Sequence, residues 1–165
     1  MEFGRILRHL FALPGAVGRA FRAPDMAAIE QAIAKGEREH GAEIRFAAEP
    51  ALDTGALLSG QTARERAIEV FSLLRLWDTD DRNGVLIYLL LADRDIEIVA
   101  DRGVSSKVSG AEWEAICRTM EAALKRGRYG EAVLAGIEQV SQLLARHFPR
   151  RTDDRNELPD RPVRL

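Results

Sequence analysis

The most apolar stretch of the chain predicts a strand that is buried on both faces. It reads GVLIYLLLA, residues 84–92, and it offers no polar position that would turn towards solvent. The segments AEIRFAA before it and DIEIVAD after it alternate instead, which is typical of strands with one covered face. The polar pair Asp93-Arg94 separates the second strand from the third, and we interpret it as the turn of a β-hairpin.

Apolar residues at helical spacing predict helices around these strands. Two helices begin with a capping box, which pairs Thr62 with Glu65 in one and Ser109 with Glu112 in the other. The predicted order is helix, strand, helix, strand, strand, helix, helix. The first two strands form a parallel βαβ unit, and the third strand is antiparallel to the second. Since the middle strand has two apolar faces, we expect helices on both sides of a small mixed sheet, which is a three-layer α/β/α sandwich.

The same pattern divides the chain into three parts. Residues 1–24 form an amphipathic N-terminal segment, in which apolar residues at helical spacing are interleaved with arginines. Residues 25–148 carry the α/β/α domain. Residues 149–165 are polar and show no apolar period, so we expect a disordered tail there.

The N-terminal segment has two interpretations. Its helix packs on the domain, or it contacts a protein partner or a membrane surface through its apolar and basic residues. Arg8 and His9 interrupt the apolar residues of this segment, and no stretch of the chain reaches the roughly 20 apolar residues of a membrane span. Together with the single cysteine, Cys117, these patterns predict a cytoplasmic protein without a transmembrane helix.

Composition excludes some classes of function. The net charge is −2, so the chain lacks the basic excess that is usual in proteins that bind nucleic acid. Only 6% of the residues are aromatic, which argues against a platform for base stacking. We therefore expect no nucleic-acid partner.

Aspartates surround the apolar strand, and some of them are expected at one edge of the sheet. With a turn at Asp93-Arg94, Leu86 faces Asp101 and Gly84 faces Gly103, so the start of the second strand and the end of the third share a rim. The carboxylates predicted to meet at this rim are those of Asp78, Asp80, Asp81 and Asp101.

These oxygens support two interpretations. With the Asn83 amide and the loop carbonyls, the four carboxylates provide the hard oxygen ligands that Ca²⁺ or Mg²⁺ prefers. Alternatively, the aspartates only form turns, because their side chains bond nearby backbone N–H groups. In that case Arg82, Arg94 and Arg102 neutralise them and no ion is bound.

A helix that ends near Trp77, an Asn83-Gly84 pair that opens the apolar strand, a charged hairpin turn and Gly103 after the third strand together resemble the TPM-domain family. The resemblance covers about residues 25–148 and is to a short bacterial, cytoplasmic-type member. Common members have Gly-aromatic-Gly after the third strand, where this chain has Asp101-Arg102-Gly103. The resemblance implies a small α/β/α fold. It also implies links to divalent-cation binding at an acidic rim, to maintenance of protein complexes in photosynthetic membranes and, in some plant members, to acid phosphatase activity.

From the residues and the resemblance we expect a non-enzymatic interaction or accessory module that binds a divalent cation. The alternative is a metal-assisted phosphatase, an acid-phosphatase-like hydrolase. In that enzyme the cation polarises a phosphoryl oxygen, and Arg82 or Arg102 holds the phosphate. A third possibility is a structural scaffold without a site.

Overall fold

A computed structural model of the chain describes residues 3–12 and 15–165. It has a four-stranded mixed sheet with helices on both faces, which confirms the predicted α/β architecture. The strand order is β3-β2-β1-β4; β1 runs parallel to β2 and to β4, and β3 is antiparallel to β2. The strands are β1 (Glu43–Glu49), β2 (Gly84–Leu90), β3 (Asp95–Ala100) and β4 (Val163–Arg164).

The helices follow the predicted apolar stripes. Both predicted capping boxes form: the Thr62 N–H donates to Glu65 Oε2 at 2.8 Å, and the Ser109 N–H donates to Glu112 Oε2 at 2.9 Å. The helices of the described residues are α1 (Phe3–Leu10), α2 (Ala16–Ala20), α3 (Ala23–Gly36), α4 (Thr54–Leu58), α5 (Ala63–Leu73), α6 (Arg102–Ser105), α7 (Gly110–Leu124) and α8 (Tyr129–His147).

β2 buries both of its faces, as its lack of polar positions requires. Alternate residues of β2, including Ile87, enter a large core that is shared with α3, α7 and α8. The intervening residues, including Tyr88, enter a smaller core that is shared with α5. The sheet therefore forms the middle layer of three.

The hairpin between β2 and β3 has a longer turn than predicted. Leu90 pairs with Asp95, so the turn contains the four residues 91–94 instead of the two residues Asp93-Arg94. Arg94 has a φ of 53°, which is the left-handed conformation that tight turns use. The polar pair Asp93-Arg94 suggests a two-residue turn, but Leu91 and Ala92 also belong to the turn because the strands pair only up to Leu90 and Asp95.

The longer turn shifts the predicted register by two residues. Leu86 lies opposite Val99 rather than Asp101, and the N–H of Asp101 donates to the carbonyl oxygen of Gly84, so the predicted pairing of Gly84 with Gly103 is wrong. Because side chains alternate with a period of two, this shift leaves every residue on its predicted face. It also leaves the start of β2 and the end of β3 at one edge.

Within residues 149–165, where we expect a disordered tail, Val163–Arg164 form β4 at the edge of the sheet. β4 pairs in parallel with Ala47 and Ala48 of β1, and the Leu165 N–H donates to the Ala48 carbonyl oxygen at 3.0 Å. Leu158 and Val163 pack against the smaller core. These two apolar contacts are too few to produce a period in the sequence, so the pattern does not predict the strand.

The described part of the N-terminal segment contains α1 and α2. Residues 1–2 and 13–14 of this predicted segment lie outside the described residues. α1 packs near α4. Within the described ranges, no helix combines the length and the apolar character that crossing a membrane requires.

Candidate functional site

The acidic rim, which we define by Asp78, Asp80, Asp81 and Asp101, lies where the loop before β2 meets the residues after β3. The Asp101 N–H donates to the Gly84 carbonyl oxygen at 2.9 Å. The Gly103 N–H donates to the Arg82 carbonyl oxygen at 3.0 Å. These bonds bring the backbones of the two segments into contact.

Gly103 makes this close approach possible. A Cβ atom at this position would lie 2.6 Å from the carbonyl oxygens of Asp81 and Arg82, which is well inside van der Waals contact. Arg82 has a φ of 52°, so the loop turns sharply under the glycine. The glycine after the third strand is therefore required by the packing of one backbone on another.

Three of the four carboxylates of the rim have separate partners. Asp78 accepts a hydrogen bond from Arg75, and Asp81 accepts one from Arg151. Asp101 Oδ1 accepts from the N–H of the next residue at 2.6 Å and caps α6. Within residues 3–12 and 15–165, no three His, Cys, Asp or Glu side chains form a group that could hold a metal ion.

The oxygen atoms of the rim nevertheless have the chemistry that a hard cation requires. Asn83 is 3% exposed; its Nδ2 donates to the Gly41 carbonyl, while its buried Oδ1 has no partner among the described residues. Buried acceptors without a donor are rare in folded proteins. Amide and carboxylate oxygens are the type of ligand that Ca²⁺ and Mg²⁺ prefer, and Arg75 and Arg151 hold two of the rim carboxylates.

The C-terminal segment covers the rim from the side of β1. The Asp80 N–H donates to Glu157 Oε2 at 3.1 Å. The backbone N–H groups of Glu157 and Leu158 donate to the two oxygens of Glu43 at 3.1 and 3.0 Å. Arg151 and Glu157 therefore attach the tail to the same loop that carries Asp78, Asp80 and Asp81.

Two titratable side chains lie buried close to this edge. Burial raises the pKa of Glu37 to about 9, against a hydrogen bond from the Ile44 N–H at 2.8 Å that lowers the pKa. Burial lowers the pKa of His40 to about 4. Near neutral pH both groups are uncharged, so neither adds charge to the acidic rim.

Asp93, predicted only as a turn former, is the main ion-pair centre at the opposite end of the sheet. Its Oδ2 lies 2.9 Å from Arg5 Nε, and its Oδ1 lies 3.0 Å from His9 Nε2. His9 Nδ1 accepts the Leu52 N–H at 3.0 Å, which leaves Nε2 to face Asp93. The spacing of Arg5 and His9 places both on one face of α1, but only the folded chain brings that face to the hairpin turn.

Comparisons with known proteins agree with this architecture. A family model described as the TPM domain matches residues 19–143. The NMR structure of the BA42 protein from the psychrophilic bacterium Bizionia argentinensis is similar, with a TM-score of 0.78 and 30% sequence identity over 88% of this chain and 95% of that chain. No curated protein matches the chain. The residues matched by the family model include the acidic rim and exclude both α1 and β4.

Proposed function

This chain belongs to the TPM domain family, and on that premise we propose that it is a non-enzymatic accessory module that binds a divalent cation, Ca²⁺ or Mg²⁺. The ligands are the rim oxygens, and α1 is the element that contacts a partner or a membrane surface. The proposed carboxylate ligands are those of Asp78, Asp80, Asp81 and Asp101.

One observation carries this proposal: the buried Asn83 Oδ1 has no partner in the described part of the chain, and it lies on the loop that carries three of the four carboxylates. A cation bound by this loop satisfies that oxygen and offsets the repulsion between neighbouring carboxylates. The role of Gly103 adds support, because it lets the Asp81 and Arg82 carbonyls come close to the end of β3.

The two arginines at the rim compete with the cation. The Arg75–Asp78 and Arg151–Asp81 pairs are about half exposed to solvent, and such surface pairs contribute only about 0–1 kcal/mol. A cation that is coordinated by several oxygens at once displaces such pairs at little cost. Binding is therefore expected to release Arg151 from the rim.

The test is a titration with Ca²⁺ and then Mg²⁺, followed through the backbone amide NMR signals of residues 78–83 and 101–103. We expect shifts in the wild type and a clear loss of affinity in Asp81→Asn. We also expect tighter binding in Arg151→Ala, because this substitution removes the competing cation.

A matched control is Asp153→Asn. The Asp153 carboxylate lies 3.6 Å from the same Arg151, but it is 80% exposed and outside the rim. The control is expected to bind like the wild type. If millimolar Ca²⁺ leaves the loop signals unchanged, or shifts them equally in Asp81→Asn, the cation proposal is wrong.

The alternative, a metal-assisted phosphatase, has support only from the positions of Arg82 and Arg102. Both side chains are exposed beside the rim, where they would hold a phosphate. Turnover of phenyl phosphate by the wild type, absent from Asp81→Asn, would establish the enzyme. Equal trace turnover by both proteins would exclude the phosphatase, and the accessory module would remain as the proposed function.

We also propose a cytoplasmic location. The chain has a single cysteine, Cys117, so it forms no intramolecular disulfide, and such bonds are typical of proteins in oxidising compartments. Fractionation of cells that produce the untagged protein tests this, and recovery outside the cytoplasm would contradict it.

A further inference from the structure

α1 packs on the domain through its polar side. Arg5 binds Asp93 and also donates to the Gln61 carbonyl at 3.0 Å, while His9 is only 5% exposed. The apolar stripe points the other way: Leu7 is 38%, Leu10 55% and Phe11 75% exposed. An amphipathic helix on a globular protein normally buries its apolar stripe, so this orientation is the reverse of the usual one.

A basic cleft adjoins this apolar stripe. Its volume is about 1040 Å³, and it lies between α1, α2, the hairpin turn and the start of α8. Six cationic side chains and three carboxylates line it, although the whole chain has a net charge of −2. The cationic residues are Arg8, Arg19, Arg22, Arg94, Lys125 and Arg128.

The three carboxylates of the cleft are already engaged. Asp93 holds α1, Asp25 Oδ2 accepts the N–H of Arg22 at 2.8 Å, and Glu131 lies 3.3 Å from Arg128. Within the described ranges, the exposed side chains of Arg22 and Arg94 have no carboxylate within ion-pair distance. Among residues 3–12 and 15–165, the cleft therefore has more cationic side chains than carboxylates.

The start of α8 adds to this potential. Arg128 is the N-cap of this 19-residue helix, and its side chain makes no capping hydrogen bond. The positive end of the helix dipole and its N–H groups thus face the same cleft, where they favour a phosphate group.

We propose that the apolar stripe of α1 and the basic cleft together form a docking surface for a membrane of anionic phospholipid. Leu7, Leu10 and Phe11 enter the boundary between headgroups and acyl chains, and the cleft takes up lipid phosphate. This inference rests on the proposed function only in its use of α1 as the contact element, and it replaces an unspecified partner with a lipid surface.

Co-sedimentation with vesicles tests the proposal. We expect the full chain to bind vesicles of phosphatidylcholine and phosphatidylglycerol in equal parts, to bind pure phosphatidylcholine far more weakly, and to dissociate as salt is raised. The double variant Arg22→Glu/Arg94→Asn is expected to lose about tenfold or more in affinity. Asn is chosen because it tolerates the left-handed backbone at position 94.

The apolar half of the surface has its own variant. Leu10→Ser/Phe11→Ser removes two exposed apolar side chains without changing charge, and it is expected to weaken vesicle binding by about tenfold. If Arg22→Glu/Arg94→Asn weakens vesicle binding but Leu10→Ser/Phe11→Ser does not, the ligand is a soluble anion or a headgroup alone. The proposed docking of α1 is then overturned.

The control for charge is Arg38→Glu/Arg155→Asn, which changes net charge equally at two exposed positions outside the cleft. α3 places Arg38 roughly 20 Å from Arg22. We expect this control to bind vesicles like the wild type, and circular dichroism establishes that all variants are folded. Equal loss in the control and the cleft variant would show an effect of net charge alone and would overturn the proposal.

A separate arm uses inorganic phosphate, followed by NMR at the amides of residues 91–94 and 128–131. Shifts with phosphate and no binding to mixed vesicles would make the cleft a site for soluble anions and overturn the lipid surface. The calcium titration of the rim is independent of these results. A protein that binds calcium but not vesicles retains the proposed cation site and loses only this inference.

Discussion

Asp93 fixes the orientation of α1, and its charge is expected to contribute to stability. Burial by itself raises the pKa of Asp93, but hydrogen bonds from Arg5 and His9 outweigh it and hold the pKa below its usual range. We predict that Asp93→Asn lowers the free energy of unfolding by about 2 kcal/mol at neutral pH, since it removes a charged acceptor from two donors. Urea denaturation measures this, and Asp153→Asn, at an exposed carboxylate, is the control.

The pH dependence of this effect follows from the direction of the pKa shift. A group whose pKa is lower in the folded state stabilises the fold fully above its unfolded pKa, about 3.9 for Asp, and loses this contribution as the pH falls through the folded pKa. The difference between wild type and Asp93→Asn is therefore expected to shrink below about pH 4. A difference that stayed constant into the acid range would contradict the charged role of Asp93.

Glu37 is expected to behave in the opposite way. Its pKa rises from 4.5 to about 9 on folding, so the folded state binds more protons than the unfolded state between these values, and stability falls as the pH rises through that window. We predict that Glu37→Gln, which mimics the neutral acid, matches the wild type near pH 5 and becomes progressively more stable than the wild type towards pH 8. Denaturation at several pH values is the measurement, and parallel curves for the two proteins would show that Glu37 is charged in the fold.

Secondary-structure elements that are determined by residues close together in the sequence are predicted correctly. The doubly apolar β2 and the capping boxes at Thr62 and Ser109 appear as predicted, because period and capping act over a few residues. The turn length of the hairpin and the path of the C-terminal segment depend on contacts between distant segments. The acidic rim lies between these cases: the fold brings the backbones together, but the distant Arg151 that holds Asp81 has no local signature.

β4 is an edge element whose removal is expected to lower stability. Deletion of residues 150–165 exposes the edge of β1 and part of the smaller core, and it leaves the oxygens of Glu43 without the backbone donors of the tail. We predict a loss of several kcal/mol, about 3 or more, and self-association through the uncovered edge. Thermal denaturation and size-exclusion chromatography measure the two effects.

Arg151→Ala is the matched control for this deletion, because it removes the tail's ion pair with the rim and leaves the strand in place. The pair is exposed, so we expect a change below about 1 kcal/mol. Unchanged stability after the deletion would mean that residues 149–165 are disordered in solution, as their composition suggests.

For the whole molecule, the acidic rim and the basic cleft lie at opposite ends of the sheet. The rim precedes β2, whereas the cleft includes the hairpin turn that follows it, and the seven residues of β2 separate the two by roughly 20 Å. The screening length at physiological salt is about 8 Å. We therefore predict that Asp81→Asn keeps the vesicle affinity of the wild type and that Arg22→Glu/Arg94→Asn keeps its calcium-induced NMR shifts. Reciprocal loss in either variant would show that the two ends are coupled.

The length of β2 also determines how the protein would stand on a lipid surface. If the protein binds the bilayer through the end that carries the hairpin turn, its strands extend away from the membrane. Asp78–Asp81 then lie in solvent, beyond the range of the surface potential of the lipid. Calcium would then be sensed at its bulk concentration rather than at the enriched concentration next to anionic headgroups. A partner protein that recognises the cation-bound rim would therefore bind from the solvent side. The length of β2, seven residues, would set its distance from the membrane.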